Sequence, residues 1–180
     1  MKLRNEETKI YIISGKARAG KDTTGTYIKE HFESEEKKVI TLGFADYIKM
    51  YAKKISDWDG NDETKPRSLL QELGTEIIRN RIDEYFFINR MIEDIKVYSY
   101  FFDIIIITDA RLSKEILSIK DNFKDVTSIN IERPNLKTQL TTKEQEHITE
   151  TGLDNFNDYD FIINNDGTLE DLRKKVDKLI

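Results

Sequence analysis

The sequence predicts an α/β fold in which helices cover both faces of a five-stranded parallel sheet. Short apolar runs alternate with longer segments of helical periodicity, and the first and third runs are nearly continuous and rich in isoleucine. Continuous apolar runs are typical of strands buried on both faces, and strands joined through helices pair in parallel. The predicted strands are residues 10–14, 39–44, 103–108, 126–131 and 159–163.

The segments between these runs predict the helices. Thr168 stands directly before the last of them, where its hydroxyl is placed to cap the first turn. Two polar segments, 56–65 and 134–153, fit neither pattern, and such insertions in α/β proteins often carry binding or closing functions. The predicted helices are residues 21–32, 45–55, 66–79, 84–98, 113–122 and 169–179.

Composition excludes several classes of protein. The length of 180 residues favours one domain. The net charge of −5 argues against a protein that coats nucleic acid, because binding to the phosphate backbone favours a basic domain. The chain contains no cysteine and 2 histidines, so a disulfide framework, a thiolate zinc site and a cysteine nucleophile are excluded and a His-rich metal site is disfavoured. No signal peptide or spanning segment is visible, and we expect a cytoplasmic protein that binds neither nucleic acid nor membrane. Whether it forms a homodimer is left open.

A phosphate-binding loop is the strongest chemical signal. Residues 15–21 match the pattern G-x-x-x-x-G-K between a buried strand and a helix, which is the context that a P-loop requires. The two glycines allow a tight turn whose N–H groups converge on phosphate, and Lys21 is placed to reach the β- and γ-phosphates. The alternative is a glycine turn before an ordinary capped helix. The predicted ATP-binding residues of this loop are Gly15, Lys16, Ala17, Arg18, Ala19, Gly20, Lys21, Asp22 and Thr23.

The residue after Lys21 departs from the common pattern. It is Asp22 where Ser or Thr is usual, and Thr23 follows. The hydroxyl that usually coordinates magnesium is therefore replaced by a carboxylate or displaced by one residue. Asp22 is able to bind the metal directly or through water, but it also adds negative charge beside a polyphosphate.

Polar residues at three other places are expected to meet the loop. Asp46 follows the second strand, although capping the next helix is an equal alternative. After Pro66, a period of about 100° per residue puts Leu69, Leu70, Leu73 and Ile77 on a core face. The opposite face carries Arg67, Gln71, Gly74 and Thr75, with Arg79 near its edge and Ile78 as an exception. This mixture suits an anion and a planar hydrogen-bonding ligand, with a solvated face as the alternative.

The third and fourth strands end in further candidates. Asp109 is placed to hold magnesium through water and Arg111 to clamp a phosphate, with a structural Asp–Arg pair as the competitor. Arg133 precedes Pro134 at a strand exit, where the polar segment 134–153 is able to close over a nucleotide. His147 in that segment is interpreted as a surface histidine of a polar helix.

Together these motifs resemble the phage-type deoxynucleoside monophosphate kinases, a branch of the P-loop monophosphate kinases. The resemblance covers most of the chain, and the Gly-Lys-Asp-Thr form of the loop is shared by that group. This sequence departs from the residues usual in that family at Tyr47, at Leu112-Ser113-Lys114 and at Phe86 or Phe87. These differences leave the base specificity of the acceptor open. The motifs are Ser14-Gly15-Lys16-x-x-x-Gly20-Lys21-Asp22-Thr23, Phe44-Ala45-Asp46, Leu69-Leu70-Gln71-x-Leu73-Gly74-Thr75-Glu76, Asp109-x-Arg111-x-x-x-Glu115, Arg133, His147-x-x-Glu150 and Asp158-Tyr159-x-x-Ile162-Ile163-Asn164-Asn165-Asp166-Gly167-Thr168-Leu169.

The resemblance implies a three-layer P-loop kinase fold with a mobile lid, in which ATP and Mg²⁺ support phosphoryl transfer to a nucleoside monophosphate. It implies one domain over residues 1–180, with acceptor-binding helices within 45–100 and the lid at 134–153. Two rivals remain: a kinase of another small phosphate such as phosphomevalonate, and a non-catalytic nucleotide-binding regulatory protein. The expected roles are catalysis for Lys21, Arg18 and Arg111, ATP binding for the loop and Arg133, acceptor binding for Asp46, Arg67, Gln71, Thr75 and Arg111, and metal binding for Asp22, Thr23 and Asp109.

Overall fold

In the computed structural model, which describes residues 8–61, 63–134, 141 and 145–180, five parallel strands form one sheet in the order β2-β3-β1-β4-β5. This confirms the predicted fold class and strand number. All four pairings are parallel, as expected for strands connected through helices. The strands are β1 Lys9–Gly15, β2 Val39–Leu42, β3 Ile104–Ala110, β4 Val126–Glu132 and β5 Phe161–Asn164.

The two isoleucine-rich strands form the centre of the sheet. Ile10 pairs with Ile105 and Ile12 with Ile107, and their side chains enter the core on one face. Tyr11 and Ile106 alternate with them and enter the core on the other face. Because both faces are covered, residues 10–13 and 104–107 are apolar at consecutive positions, which explains why the sequence lacks the alternation of a half-exposed strand.

Helices cover both faces of the sheet. α1 and α7 pack together with the core on one side, whereas α2, α4 and α5 contribute to the core on the other. The hydroxyl of Thr168 accepts a hydrogen bond from the N–H of Asp171 at 3.2 Å, which confirms the predicted cap of the last helix. The helices are α1 Lys21–Ser34, α2 Ala45–Ile55, α3 Arg67–Gln71, α4 Phe86–Tyr98, α5 Ser113–Asn122, α6 Ile148–Thr151 and α7 Leu169–Asp177.

The helix predicted after Pro66 is two elements. α3 continues into a π-helix at Glu72–Ile82, whose wider i→i+5 turns rotate each residue by less than the α-helical period. The predicted core position of Ile77 is therefore wrong: its side chain is 36% exposed, while that of Ile78 is 5% exposed. The same widening leaves Leu73, Gly74 and Thr75 buried.

The two polar segments have different outcomes. The described part of residues 56–65 is a loop, as predicted, and it is anchored by buried Trp58, whose ring N–H donates to the carbonyl of Asn61 at 2.9 Å. Of the segment 134–153, residues 135–140 and 142–144 lie outside the described residues, so a mobile lid stays a prediction. Its last part contains α6. Among the helices that the structure describes, none is long and apolar enough to cross a membrane.

Candidate active site

The P-loop depends on its two glycines. Gly15 and Gly20 have φ angles of 142° and 110°, which side chains rarely adopt. A Cβ atom on Gly15 would lie 2.4 Å from the carbonyl oxygen of Ile131, and one on Gly20 would lie 2.6 Å from the side-chain nitrogen of Asn165. The loop therefore needs glycine at both positions, because Gly15 lies against the end of β4 and Gly20 lies against the residue that follows β5.

Lys21 lies inside this loop. Its ammonium group donates to the carbonyl oxygens of Gly15 and Lys16, each at 2.9 Å, and the residue is 7% exposed. Burial and, to a lesser extent, the nearby guanidinium of Arg111 lower the pKa of Lys21 to about 8. An incoming phosphate would replace the carbonyl partners and favour the charged ammonium form.

A residue that follows β5 binds the backbone of the P-loop. The side-chain amide of Asn165 donates to the carbonyl of Ala19 at 2.8 Å, and Asn165 is buried. This residue appeared in the sequence only as part of a motif, because its partner lies 146 positions away.

Arg18 has an unusual backbone conformation within the loop. Its φ angle is 62°, which costs about 1–2 kcal/mol for a residue with a Cβ atom. Its exposed side chain lies at the wall of the larger cavity described next.

Two cavities flank the P-loop. The β2-side cavity, of about 680 Å³, lies between the loop and the elements that follow β2, and the β4-side cavity, of about 560 Å³, lies towards β4 and β5. Both include Ala17, Arg111, Thr149 and Glu150 in their walls, so they meet there. Gly20 and Thr23 line neither cavity. The predicted residues that line the β2-side cavity are Ala17, Arg18, Lys21, Asp22, Asp46, Arg67, Gln71, Thr75, Asp109 and Arg111, and those of the β4-side cavity are Gly15, Lys16, Ala17, Ala19, Arg111 and Arg133.

A carboxylate of the protein occupies the junction of the two cavities. One oxygen of Glu150 accepts a hydrogen bond from the backbone N–H of Ala17 at 3.3 Å, and the other accepts one from the Arg111 guanidinium at 2.5 Å. A carboxylate and a phosphate are recognised by the same donors. Glu150 therefore takes the place that an anionic ligand of the P-loop edge would take.

α6 carries Glu150 and is held against the loop by further contacts. Lys16 donates to the Glu150 carbonyl at 2.6 Å and forms an ion pair with Asp154. A Cβ atom on Gly152 would lie 2.8 Å from the carbonyl oxygen of Arg111, so the small residue permits this close approach. The sequence analysis assigned no role to Glu150 or Gly152, and the motif His147-x-x-Glu150 was the only signal for Glu150.

His147 is the N-cap of α6 and does not lie within a polar helix. Its Nδ1 accepts a hydrogen bond from the backbone N–H of Thr149 at 3.3 Å. Partial burial lowers its pKa, which favours the neutral ring that this acceptor role requires.

Asp109 is engaged with the start of α2. Its two carboxylate oxygens accept hydrogen bonds from the N–H groups of Phe44 and Ala45, at 2.8 and 3.0 Å. Burial raises the pKa of Asp109, and these two hydrogen bonds oppose that shift. Asp46 is exposed and pairs with Lys49 at 3.2 Å, so the carboxylate that caps α2 comes from Asp109 and not from Asp46. The metal-binding role of Asp109 stays a prediction.

The described residues contain no cluster of three or more His, Cys, Asp or Glu side chains that could hold a metal ion by themselves. Asp22 is exposed at the start of α1, and its carboxylate and the Thr23 hydroxyl are hard oxygen donors. Mg²⁺ commonly takes one or two carboxylates together with water and substrate phosphates. These residues therefore suit a metal that arrives with a nucleotide.

Arg79 and Glu115 are two further residues of the β2-side cavity to which the sequence analysis gave no role. They form a buried ion pair with an Nη2–Oε1 distance of 2.9 Å. Thr75, one turn earlier in the π-helix, has a buried hydroxyl without a hydrogen-bond partner.

This fold and site define a class: a P-loop kinase fold with a cavity on each side of the phosphate loop. Solved kinases share the fold. The APS kinase of Mycobacterium tuberculosis, in complex with AMPPNP and APS, aligns with a TM-score of 0.56 and 12% identity over 97% of this chain and 98% of its own. Shikimate kinase from Aquifex aeolicus aligns with a TM-score of 0.51 and 15% identity over 96% of this chain and 95% of its own.

Sequence comparison is more specific. Residues 42–176 match the family model of deoxynucleotide monophosphate kinase, and the chain belongs to this family. The deoxynucleotide monophosphate kinase of Enterobacteria phage T4 is 33% identical over 126 residues, which cover 68% of this chain and 49% of the relative. That of Escherichia phage RB69 is 32% identical over 121 residues, covering 67% and 46%. The chain thus spans about half the length of these relatives.

Proposed function

We propose that the protein transfers the γ-phosphoryl group of ATP to the 5′-phosphate of a deoxynucleoside monophosphate. The observation that carries this proposal is the meeting of two cavities at the Ala17–Arg111 edge of the P-loop. A donor and an acceptor bound on opposite sides would bring their phosphates together there. Such a reaction needs positioning and charge neutralisation more than covalent chemistry.

The β4-side cavity would hold ATP, with Arg133 in its wall, and the β2-side cavity would hold the acceptor, with Asp46, Arg67, Gln71 and Thr75 in its wall. The buried hydroxyl of Thr75 supports this assignment. An unpartnered buried hydroxyl is unfavourable by about 1–3 kcal/mol, and a polar group of the acceptor would satisfy it.

Cations surround the position of transfer. Lys21 would exchange its carbonyl partners for phosphate oxygens, and Arg111 would exchange Glu150 for the transferred or acceptor phosphate. Arg18, at the cavity wall, would add positive charge as the phosphoryl group migrates. The acceptor phosphate is already anionic at neutral pH, so no general base is required.

A magnesium ion that arrives with ATP would supply positive charge against the phosphates. Asp22 and Thr23 would hold it, and Asp109 would contribute only through oxygen lone pairs left by its bonds to Phe44 and Ala45. The absence of nucleic-acid or membrane partners and a cytoplasmic location remain predictions, and the oligomeric state stays open.

A coupled assay of ADP release tests the proposal. Each deoxynucleoside monophosphate, each ribonucleoside monophosphate and phosphomevalonate is offered with ATP and Mg²⁺, and at least one deoxynucleoside monophosphate should stimulate ADP formation. Lys21→Ala should lower turnover by about a hundredfold or more while the circular dichroism spectrum stays native. ATP binding without any stimulation by an acceptor would favour a regulatory protein, and stimulation by phosphomevalonate alone would favour the other kinase.

A further inference from the structure

Among the residues that the structure describes, Arg79 and Glu115 form an ion pair in which both side chains are buried, with exposed fractions of 9% and 1%. A buried ion pair of this kind is weak support for stability, because desolvation of the two charges offsets their attraction. The Glu115 carboxylate also accepts backbone hydrogen bonds at the start of α5, which an apolar residue of similar size could not do. The pair is therefore best understood from what it holds on each side.

Glu115 holds the backbone from which Arg111 projects. Its Oε2 accepts hydrogen bonds from the N–H groups of Arg111, at 2.7 Å, and Leu112, at 3.0 Å. Both N–H groups lie in the turn between β3 and α5. The carboxylate therefore sets the position of the Cα atom of Arg111, whose guanidinium reaches the junction of the two cavities.

Arg79 holds the same carboxylate from the side of the π-helix. Its Nη2 donates to Oε1 of Glu115 at 2.9 Å, and its Nη1 donates to the carbonyl of Gly74 at 3.0 Å. The guanidinium also stacks on Phe87, 4.8 Å from the ring centroid. Its planar fork is thus fixed on three sides, which a lysine could not reproduce.

These contacts form one continuous connection. It runs from Gly74, beside the cavity-lining Thr75, through Arg79 and Glu115 to the backbone of Arg111. At one end is the proposed acceptor cavity, and at the other is the cation at the point of transfer.

We propose that Arg79 and Glu115 are positioning residues that couple binding in the β2-side cavity to the placement of Arg111. An acceptor that packs against the π-helix stabilises the arrangement in which Arg111 faces the P-loop, and a nucleotide that engages Arg111 stabilises the same arrangement. The two ligands therefore bind cooperatively. This inference rests on the proposed function, since it assigns the acceptor to that cavity.

The test measures coupling as well as turnover. The dissociation constants of dAMP, dCMP, dGMP and dTMP are determined by calorimetry, with and without saturating AMPPNP, a non-hydrolysable ATP analogue, and Mg²⁺. In the wild type, AMPPNP should tighten the binding of at least one of them by about fivefold or more. In R79M/E115M the tightening should fall below about twofold, the kcat should fall by about tenfold or more, and the KM for ATP should stay within about twofold.

Thermal unfolding separates positioning from folding. R79M/E115M removes the buried charges but also the acceptor of the Arg111 and Leu112 N–H groups, so it should remain folded and unfold somewhat below the wild-type temperature. R79K keeps the charge but lacks the fork, so it should retain only part of the coupling and of the kcat. The control R173M removes an exposed pair with Glu30, whose side chains are 46% and 48% exposed, and should change none of these quantities.

The possible outcomes are distinct. A folded R79M/E115M with wild-type coupling and kcat overturns the inference, and so does the absence of coupling in the wild type. If the double variant does not fold, R79K provides the test, and wild-type coupling together with a wild-type kcat in R79K overturns the inference. Failure of every acceptor to stimulate ADP release by the wild type counts against the proposed function, whereas coupled binding of AMPPNP and a monophosphate would still support the connection.

Discussion

At the scale of single residues, Lys21 shows how burial tunes the chemistry of the P-loop. Its pKa of about 8 means that the ammonium is partly deprotonated in mildly alkaline solution before any nucleotide binds. Bound phosphates would raise this pKa, so the complex would hold more protons than the free protein. By linkage, the affinity for nucleotide has its full value below about pH 8 and decreases as the pH rises above it.

We therefore predict that the dissociation constant for AMPPNP is constant from about pH 7 to pH 8 and then rises, approaching tenfold per pH unit. Calorimetry over this range measures it. Lys21→Arg, which stays charged, should remove the alkaline rise. A wild-type dissociation constant that is flat up to pH 9.5 would contradict this account of Lys21.

Glu150 gives a second prediction at the same scale. Its carboxylate holds the Ala17 N–H and the Arg111 guanidinium, the same donors that a phosphate at the proposed site would use. Glu150→Gln removes the competing charge, and we expect it to tighten the binding of AMPPNP by about fivefold, which corresponds to about 1 kcal/mol.

The matched control is Glu146→Gln, which removes an exposed carboxylate four positions earlier. It should leave the affinity unchanged. Unchanged or weaker AMPPNP binding in Glu150→Gln would show that the carboxylate supports nucleotide binding and does not oppose it.

At the scale of secondary-structure elements, the docking of α6 depends on a backbone approach that only a residue without a side chain allows. A Cβ atom on Gly152 would meet the Arg111 carbonyl at 2.8 Å and a methyl group of Leu112 at 2.6 Å. Gly152→Ala should therefore push α6 away from the turn that carries Arg111. Its φ of −65° is one that alanine adopts, so the strain comes from the crowding groups, which also include the Ile148 carbonyl oxygen at 2.7 Å.

We expect amide hydrogen exchange in residues 148–154 to accelerate by about tenfold in Gly152→Ala, while exchange in β1 and β3 stays as in the wild type. Thr151→Ala is the control, because it shortens a neighbouring side chain without adding an atom against Arg111. Equal protection of residues 148–154 in Gly152→Ala and the wild type would show that Gly152 is not required for docking.

The elements also show where periodicity works and where it does not. The predicted strands and helices are present, because buried isoleucine runs and caps such as Thr168 act over a few residues. Ile77 was misplaced because a π-helix begins at Glu72. Local sequence carries no signal for the wider turn, which is selected by packing of the helix against its neighbours.

At the scale of the whole molecule, the two cavities lie on opposite sides of one phosphate loop and share a wall. A single ligand that carries a nucleoside at each end should therefore fill both. We predict that adenosine joined to a deoxynucleoside through a pentaphosphate binds at least about tenfold more tightly than AMPPNP, because the second nucleoside binds intramolecularly.

Competition against a fluorescent ATP analogue measures this affinity. The corresponding dinucleoside with only two phosphates is the control, since its chain is too short to span both cavities and should lose the advantage. Equal affinity of the long and short compounds would contradict a shared junction at Ala17 and Arg111.

The sequence by itself determined the parallel sheet, the P-loop and most of the residues that line the two cavities. These features depend on local rules: apolar runs make buried strands, glycines permit the loop, and parallel strands bring their carboxyl ends to one edge. Only the tertiary structure decided that Asp109 caps α2, that Glu150 engages the Ala17 N–H and Arg111, and that Arg79 reaches Arg111 through Glu115. The contacts of Asp109, Glu150 and Arg79 join residues more than thirty positions apart in the sequence. A charged side chain has many potential partners in the sequence, and only tertiary packing determines which of them lies within hydrogen-bond distance.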